Sequence, residues 1–199
     1  ADEYLSGNVR EKLEWAKRSA EQYPEDYAAH VQALERVQPV DLTASEIAVR
    51  LGATWLPTEV IDQFIYELFG TSLRSRRMIR SHYSQHTGAW NIENKFADRG
   101  NIKAENTYGT TRVNGYKIIE ETLNLRDLRI FDYVEDEHGN RVPVLNKKET
   151  AIAQGKQELI KQAFQDWIWK DPARRERLTR LYNDKFNSTR PREYDGSHL

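Results

Sequence analysis

Between Leu56-Pro57 and Gly70 the residues Val60, Ile61, Phe64, Ile65 and Leu68 recur at helical spacing, and from Ser75 onward the apolar period drops toward two. The switch predicts a mixed chain, in which helical stripes and short alternating strands share a core. The segments "MIRSHY" and "GAWNIE", separated by "SQHT", read as a hairpin with Ile79, Tyr83, Trp90 and Ile92 pointing inward.

Helix signals surround this hairpin. Asn8 with Glu11 forms a capping-box pattern ahead of Val9, Leu13, Ala16 and Ala20, and Pro24 opens a second stripe of Tyr27, Val31 and Leu34 that stops at Pro39. The two predict an antiparallel helical pair. Thr43 and Glu46 predict a short helix ending by Gly52. "NKFADRGNIKAENTYG" has few apolar anchors and reads as a long loop, a class of segment that tends to carry function or motion. A helix is expected from Thr110 or Thr111, with Val113, Tyr116, Ile119 and Leu123 on one side; Gly115 inside it costs about 1 kcal/mol relative to Ala unless it permits close approach.

"LRIFDYV" and "RVPVL" predict a second hairpin, and Pro143 favours an edge or irregular strand. Asn146 and Glu149 cap a long helix reaching about Trp169, with Leu159, Ile160, Ala163, Phe164, Trp167 and Ile168 at helical spacing. Asp171-Pro172 starts the last helix, whose expected buried side is Leu178, Leu181, Tyr182 and Phe186. The predicted fold class is α+β, mainly helical: antiparallel helices with two small β-hairpins. A soft boundary divides a helical portion, 1–72, from a mixed portion, 73–199, with long C-terminal helices, unless the whole is one compact domain.

The formal net charge of −1 conceals a gradient. Residues 1–69 carry 6 basic and 13 acidic side chains, 70–139 carry 11 and 10, and 140–199 carry 13 and 8, so the running charge is −7, then +1, then +5. Such asymmetry orients a molecule toward a polyanion or an oppositely charged neighbouring domain, but it is weaker than the footprint of a stand-alone nucleic-acid binder. The absence of cysteine excludes disulfides, thiolate chemistry and cysteine metal clusters and suits a cytoplasmic location. No apolar run approaches the length of a spanning helix and the first residues are acidic rather than signal-like, so no membrane partner is expected.

The strongest cationic cluster is "RSRRMIR": Arg74, Arg76, Arg77 and Arg80. Arginine forks suit phosphate oxygens, and the nearby Tyr83 and Trp90 are candidates to stack on exposed bases; the competing reading makes both rings hairpin core and turns the arginines to solvent or to the acidic first portion. Lys103, Arg112 and Lys117 form a second set, with Thr110, Thr111 and Arg112 placed to meet an anion at a helix start. Lys147, Lys148, Arg174 and Arg175 extend the basic inventory onto the late helices, where Arg177 and Arg180 follow. The helix after Leu56-Pro57 is acidic (Glu59, Asp62, Glu67), which favours packing over groove recognition by a helix-turn-helix.

"TYGTTR" lacks the glycine cradle and the Lys-Ser/Thr pair of a phosphate loop. His82 and His86 sit four apart on a proposed hairpin, where that spacing does not bring them side by side, and no metal site is assigned. Glu120-Glu121 and Asp136-Glu137 read as surface, and no residue set supports a catalytic assignment.

The stretches "LSGNVREKLEWAKRSAEQYPEDYAAHVQALERVQPVDLTASEI", "VRLGATWLP", "NLRDLRIFDYVED", "VLNKKET", "KQELIKQAFQDWIWKDPARRERLTRLYNDKFN" and "RPREYDGSHL" resemble a family of very large proteins of phages, plasmids and conjugative elements. These join an adenine-specific DNA methyltransferase-like region to an SNF2-like, DEAD/DEAH-type helicase region. The resemblance covers nearly the whole chain and implies a segment between the two, with "REYDGSHL" as the lead-in to the ATPase. The missing initiator methionine and the polar ending "YNDKFNSTRPREYDGSHL" fit a piece of a longer protein. The resemblance implies ATP, Mg²⁺ and S-adenosylmethionine for the full-length protein and none for this segment. It also implies DNA and the flanking methyltransferase-like and helicase domains as partners. The expected role is a noncatalytic, DNA-associated accessory domain; the alternative is a purely structural coupling module.

Overall fold

The computed structural model describes residues 3–192. Residues 193–199, all but Arg192 of the segment read above as the lead-in to an ATPase, lie outside the described residues. In chain order the elements are β1 (Gly7–Asn8), α1 (Val9–Gln22), α2 (Pro24–Arg36), α3 (Thr58–Phe69), α4 (Leu73–Arg76), β2 (Arg80–Ser84) and β3 (Ala89–Glu93), then α5 (Gly115–Leu123), β4 (Phe131–Glu135), β5 (Arg141–Leu145), α6 (Lys147–Ile168), α7 (Pro172–Phe186) and β6 (Thr189–Arg190). The fold is α+β and mainly helical. Its strands pair antiparallel as β1 with β6, β2 with β3 and β4 with β5. The β1–β6 pair, two residues a side, joins residues far apart in sequence and carries no hairpin signal.

Contacts divide the chain into two units, one made by residues up to Ala48 together with those from Pro172 onward, the other by Val49–Asp171. Within the second unit α3 packs with strand β2 of the hairpin that follows it.

In the first unit, the Asn8 side chain accepts from the Glu11 N–H and caps α1, and Pro24 opens α2. Val9, Leu13, Ala16 and Leu34 form the buried seam of this pair. The expected short helix after Thr43 is a single 3₁₀ turn, Ala44–Glu46, held by the Glu46 carboxylate accepting from the Thr43 N–H (2.7 Å) and hydroxyl (3.0 Å). Asn183 on α7 is fully buried because its amide reads a backbone: Oδ1 accepts from Leu42 N–H (2.8 Å) and Nδ2 donates to Leu42 O (2.9 Å). Phe186, expected on the buried side of α7, is 55% exposed.

In the second unit, Val60, Ile61, Phe64, Ile65 and Phe69 of α3 are buried, together with Ile79 and Ile92, Ile118, Ile119 and Leu123 of α5, and Ile160, Phe164 and Ile168 of α6. Phe64 meets Phe164 edge-on with centroids 5.2 Å apart. Gly70 ends α3 in the left-handed region at φ +59. Asn124 repeats the asparagine device: it accepts from Trp90 N–H (2.8 Å) and donates to Trp90 O (2.9 Å), clamping strand β3 to the end of α5. Leu159, on the predicted apolar side of α6, is 53% exposed, whereas Gln157 is buried and bonded to Leu128 N–H, Thr122 Oγ1 and Arg126 O. Among the described residues no helix is long and apolar enough to cross a membrane.

Candidate nucleic-acid interface

Ser72 caps α4, its hydroxyl accepting from Ser75 N–H, and the short helix aims the arginine cluster in different directions. Arg76 is fixed: its Nε donates to Thr71 O (2.8 Å) and its guanidinium lies 5.3 Å from the Tyr66 ring. Arg76, Arg77 and Arg80 share a shallow cleft of about 440 Å³ with Glu59, Asp62 and Glu67 of α3. Asp62 accepts from Ser81 N–H (2.7 Å), and burial pushes its carboxyl up despite that bond and the field of Arg80. Part of the cluster thus faces the acidic helix. Arg74 and Arg77 are exposed, with no ion pair among the described residues.

Trp90 corrects the stacking assignment. It is 5% exposed, packed against Tyr83 with ring centroids 5.1 Å apart, and its Nε1 is buried without a hydrogen-bond partner among the described residues. Strand alternation turns both rings into the hairpin's packed side, where Trp90 has no face left for a base; Tyr83 is half-buried.

The second basic set gathers differently. Helix α5 begins at Gly115, later than expected, because residues 110–113 close a turn in which Thr110 N–H donates to Val113 O (2.7 Å) and Thr110 Oγ1 accepts from the Arg112 and Val113 N–H groups (each 3.1 Å). Asn114, not Thr110 or Thr111, is the cap, accepting from Lys117 N–H (3.0 Å). Gly115 is required here: a Cβ would lie 2.6 Å from Phe69 Cζ.

Between this helix start and the preceding loop opens a cleft of about 400 Å³ whose cationic lining is Lys95, Arg99, Arg112 and Lys117. Arg112 pairs with Asp132 (2.7 Å) and donates to Phe131 O (3.0 Å). Beneath it, buried Glu120 receives the Lys95 ammonium (2.6 Å), the Lys117 ammonium (3.0 Å) and Ile92 N–H (2.8 Å). Burial works against its charged form, yet Lys95, the Ile92 N–H and Lys117 outweigh it and hold the Glu120 carboxyl below its usual range. Asp98 and Glu105 also line the cleft and are engaged: Asp98 accepts from Tyr116 OH (2.7 Å) and Asn101 Nδ2 (2.6 Å), and Glu105 accepts from Gly100 N–H (3.1 Å). Burial pushes the Tyr116 hydroxyl far up, so it stays protonated and donates.

Phe96, which sequence reasoning passed over, lines the same cleft and is 66% exposed. Ile102 in the same loop and Leu73 on α4 are also largely exposed. The only signal in the sequence was an aromatic in a polar loop, with no period to assign it a side. The segment expected to be a long loop holds a π-helical turn, Lys103–Thr107; Lys103 at its start and Arg99 ahead of it are exposed, without an ion pair among the described residues. Loop and α4 adjoin: Ser75 Oγ donates to Ala97 O (3.5 Å) and Asn94 Nδ2 to Met78 O (2.7 Å).

Lys147 and Lys148 are exposed in the first turn of α6, at the positive end of its dipole, a placement that weakens a helix unless an anion is near. Arg174 is buried, 8% exposed, and so cannot reach a phosphate from this position; it and exposed Arg175 belong to the other unit. Among the described residues no group of three or more His, Cys, Asp or Glu is arranged to hold a metal ion.

The molecule is thus defined as a mainly helical α+β protein whose second unit presents a cation-lined cleft with an exposed aromatic at its edge. Residues 50–188 match the model of a family described as a domain of unknown function (DUF8437), and the chain belongs to that family. The match begins where the second unit begins and runs through α7. No curated protein and no solved structure matches the chain.

Proposed function

We propose that the chain is a noncatalytic, DNA-associated accessory domain that links methyltransferase-like and SNF2-like helicase regions of a larger polypeptide. One observation carries the DNA contact: Arg74, Arg77, Arg99 and Lys103 extend from α4 and the adjoining loop, exposed and without ion pairs among the described residues. Cations without a carboxylate partner are available to phosphates, whose neutralisation releases the counterions condensed on a polyanion. The sequence resemblance supplies the context of the flanking regions, which in this proposal bind ATP, Mg²⁺ and S-adenosylmethionine.

A binding titration of the 199-residue chain with labelled DNA tests the reading. About four neutralised phosphates predict an affinity loss of about 50- to 150-fold between 50 and 200 mM salt. Replacing Arg74, Arg77, Arg99 and Lys103 together by Gln should abolish the binding; retained affinity would reject this surface.

A second reading, structural coupling without DNA contact, is favoured by the β4–β5 hairpin. Tyr133 is 62% exposed and Val134 and Val144 are nearly half exposed, although strand pairing puts Tyr133 on one face and both valines on the other. Apolar side chains on both faces fit docking onto a neighbouring domain. Absence of DNA binding, with a change in the helicase region's ATPase when this hairpin is altered, would select it.

A further inference from the structure

We infer that the nucleic acid taken by this surface is single-stranded, with one base stacked on Phe96; the inference rests on the DNA-contact reading above and names its substrate. Phe96 is 66% exposed at the edge of a cleft it shares with Lys95, Arg99, Arg112 and Lys117. An exposed aromatic ring among cations is the combination that single-strand binders use, because every unpaired base offers a π-face and every nucleotide a phosphate. In a duplex those faces are already stacked on neighbouring pairs, and Phe96 gains nothing.

The duplex alternative needs an element to enter a groove, and the unit offers poor ones. Helix α3 carries Glu59, Asp62 and Glu67 along its length, and its hydrophobic face is buried. The β4–β5 hairpin ends in Glu135, Asp136 and Glu137, charges that a groove lined by phosphates repels. The cleft beside Phe96 differs in its balance of charge: Lys95, Arg99, Arg112 and Lys117 line it against two carboxylates. Its carboxylates, Asp98 and Glu105, are occupied by Tyr116, Asn101 and Gly100. Its floor is rigid because Lys95 and Lys117 are both anchored to buried Glu120.

The rim is cheaper to rearrange. Arg112 and Asp132 form an exposed pair of the kind that contributes little to stability, so Arg112 can exchange its carboxylate for a phosphate. Arg99, with no ion pair to break, needs no exchange. The volume of about 400 Å³ lies at the small end of ligand-sized sites and suits one nucleotide rather than a helix.

Fluorescence anisotropy with a labelled twelve-nucleotide oligo-dT and with a hairpin duplex of equal length provides the test, in 50 mM salt. The expected result is tighter binding of the single strand and a loss of about 5- to 150-fold in Phe96→Ala, restored by Phe96→Trp, with duplex affinity unchanged. A thermal melt checks that the exposed-ring variant folds as the parent does. Equal affinity for both DNAs, or an unaltered single-strand affinity in Phe96→Ala, would overturn the inference and leave the DNA-contact reading standing. Binding of neither DNA would remove both.

Discussion

Gly115 and Gly155 both lie in helices, yet changing each to Ala should move stability in opposite directions. Gly155 is exposed in the interior of α6, and a Cβ there would meet nothing within 4 Å. Gly155→Ala therefore collects the backbone-entropy gain alone, about 0.5–1 kcal/mol. At Gly115 a Cβ would stand 2.6 and 2.7 Å from Phe69 Cζ and Cε1 and 3.2 Å from Ala104 O, about 1 Å inside ordinary carbon contact. Phe69 cannot swing away cheaply: it is 1% exposed and held between Tyr116, with centroids 4.7 Å apart, and Tyr108 at 6.0 Å. Overpacking of this kind costs about 1–3 kcal/mol, and the propensity gain at the first helical position offsets less than about 1 kcal/mol of it. The expected net loss is about 1–2 kcal/mol. At about 2–4 °C per kcal/mol for a chain of this size, Gly115→Ala should lower the melting temperature by about 2–8 °C and Gly155→Ala should raise it by about 1–4 °C. Urea melts followed by tryptophan fluorescence give the same comparison through the transition midpoint. A Gly115→Ala protein as stable as the parent would refute the claim that Phe69 and α5 approach too closely for a side chain.

Asp62→Asn should be neutral or stabilising at pH 7, since it keeps an acceptor for Ser81 N–H while removing a carboxylate that burial disfavours; Asp62→Ala strands that donor and should cost about 1–3 kcal/mol. Because the folded pKa of Asp62 is raised, its ionisation erodes stability as pH climbs, so the Asn variant should gain on the parent between acid and neutral pH, a trend that denaturant titrations at each pH would reveal or deny. Glu120 and Glu121 behave in the opposite sense. Burial opposes their charge but the lysines and Arg126 prevail, leaving both carboxyls below the ordinary 4.5. Their contribution is therefore fully present above that pH and is lost as pH falls through the lowered values. Glu120→Gln should flatten the acid limb of the stability curve, and an unchanged limb would mean that the Lys95 and Lys117 contacts contribute nothing.

Much of the architecture is written in local patterns. The caps at Asn8 and Asn146, the proline at the start of α2, the glycine closing α3 and the two hairpins follow from side-chain chemistry within a few residues, and the structure places them where those patterns put them. Local patterns fail where a competing local turn takes the same backbone groups first. The helix expected from Thr110 starts at Gly115 because the Thr110 hydroxyl and carbonyl-bonded turn hold the chain first, and the short helix after Thr43 stops after one turn.

The candidate interface shows the same division more sharply. Alternation placed Ile79, Trp90 and Ile92 on one side of the first hairpin, and that is enough to bury Trp90; the basic residues near it in sequence nominated it for the opposite role. Composition could supply arginines, but only three-dimensional packing decides that Arg76 binds Thr71 O, that Arg174 is buried and that Phe96 stands open beside Arg99. The physical reason is range. Caps, turns and periodicity act over one to four residues and are read directly from the chain, whereas exposure, ion pairing and the sharing of a cleft depend on segments brought together from dozens of residues away, as Glu120 is with Lys95.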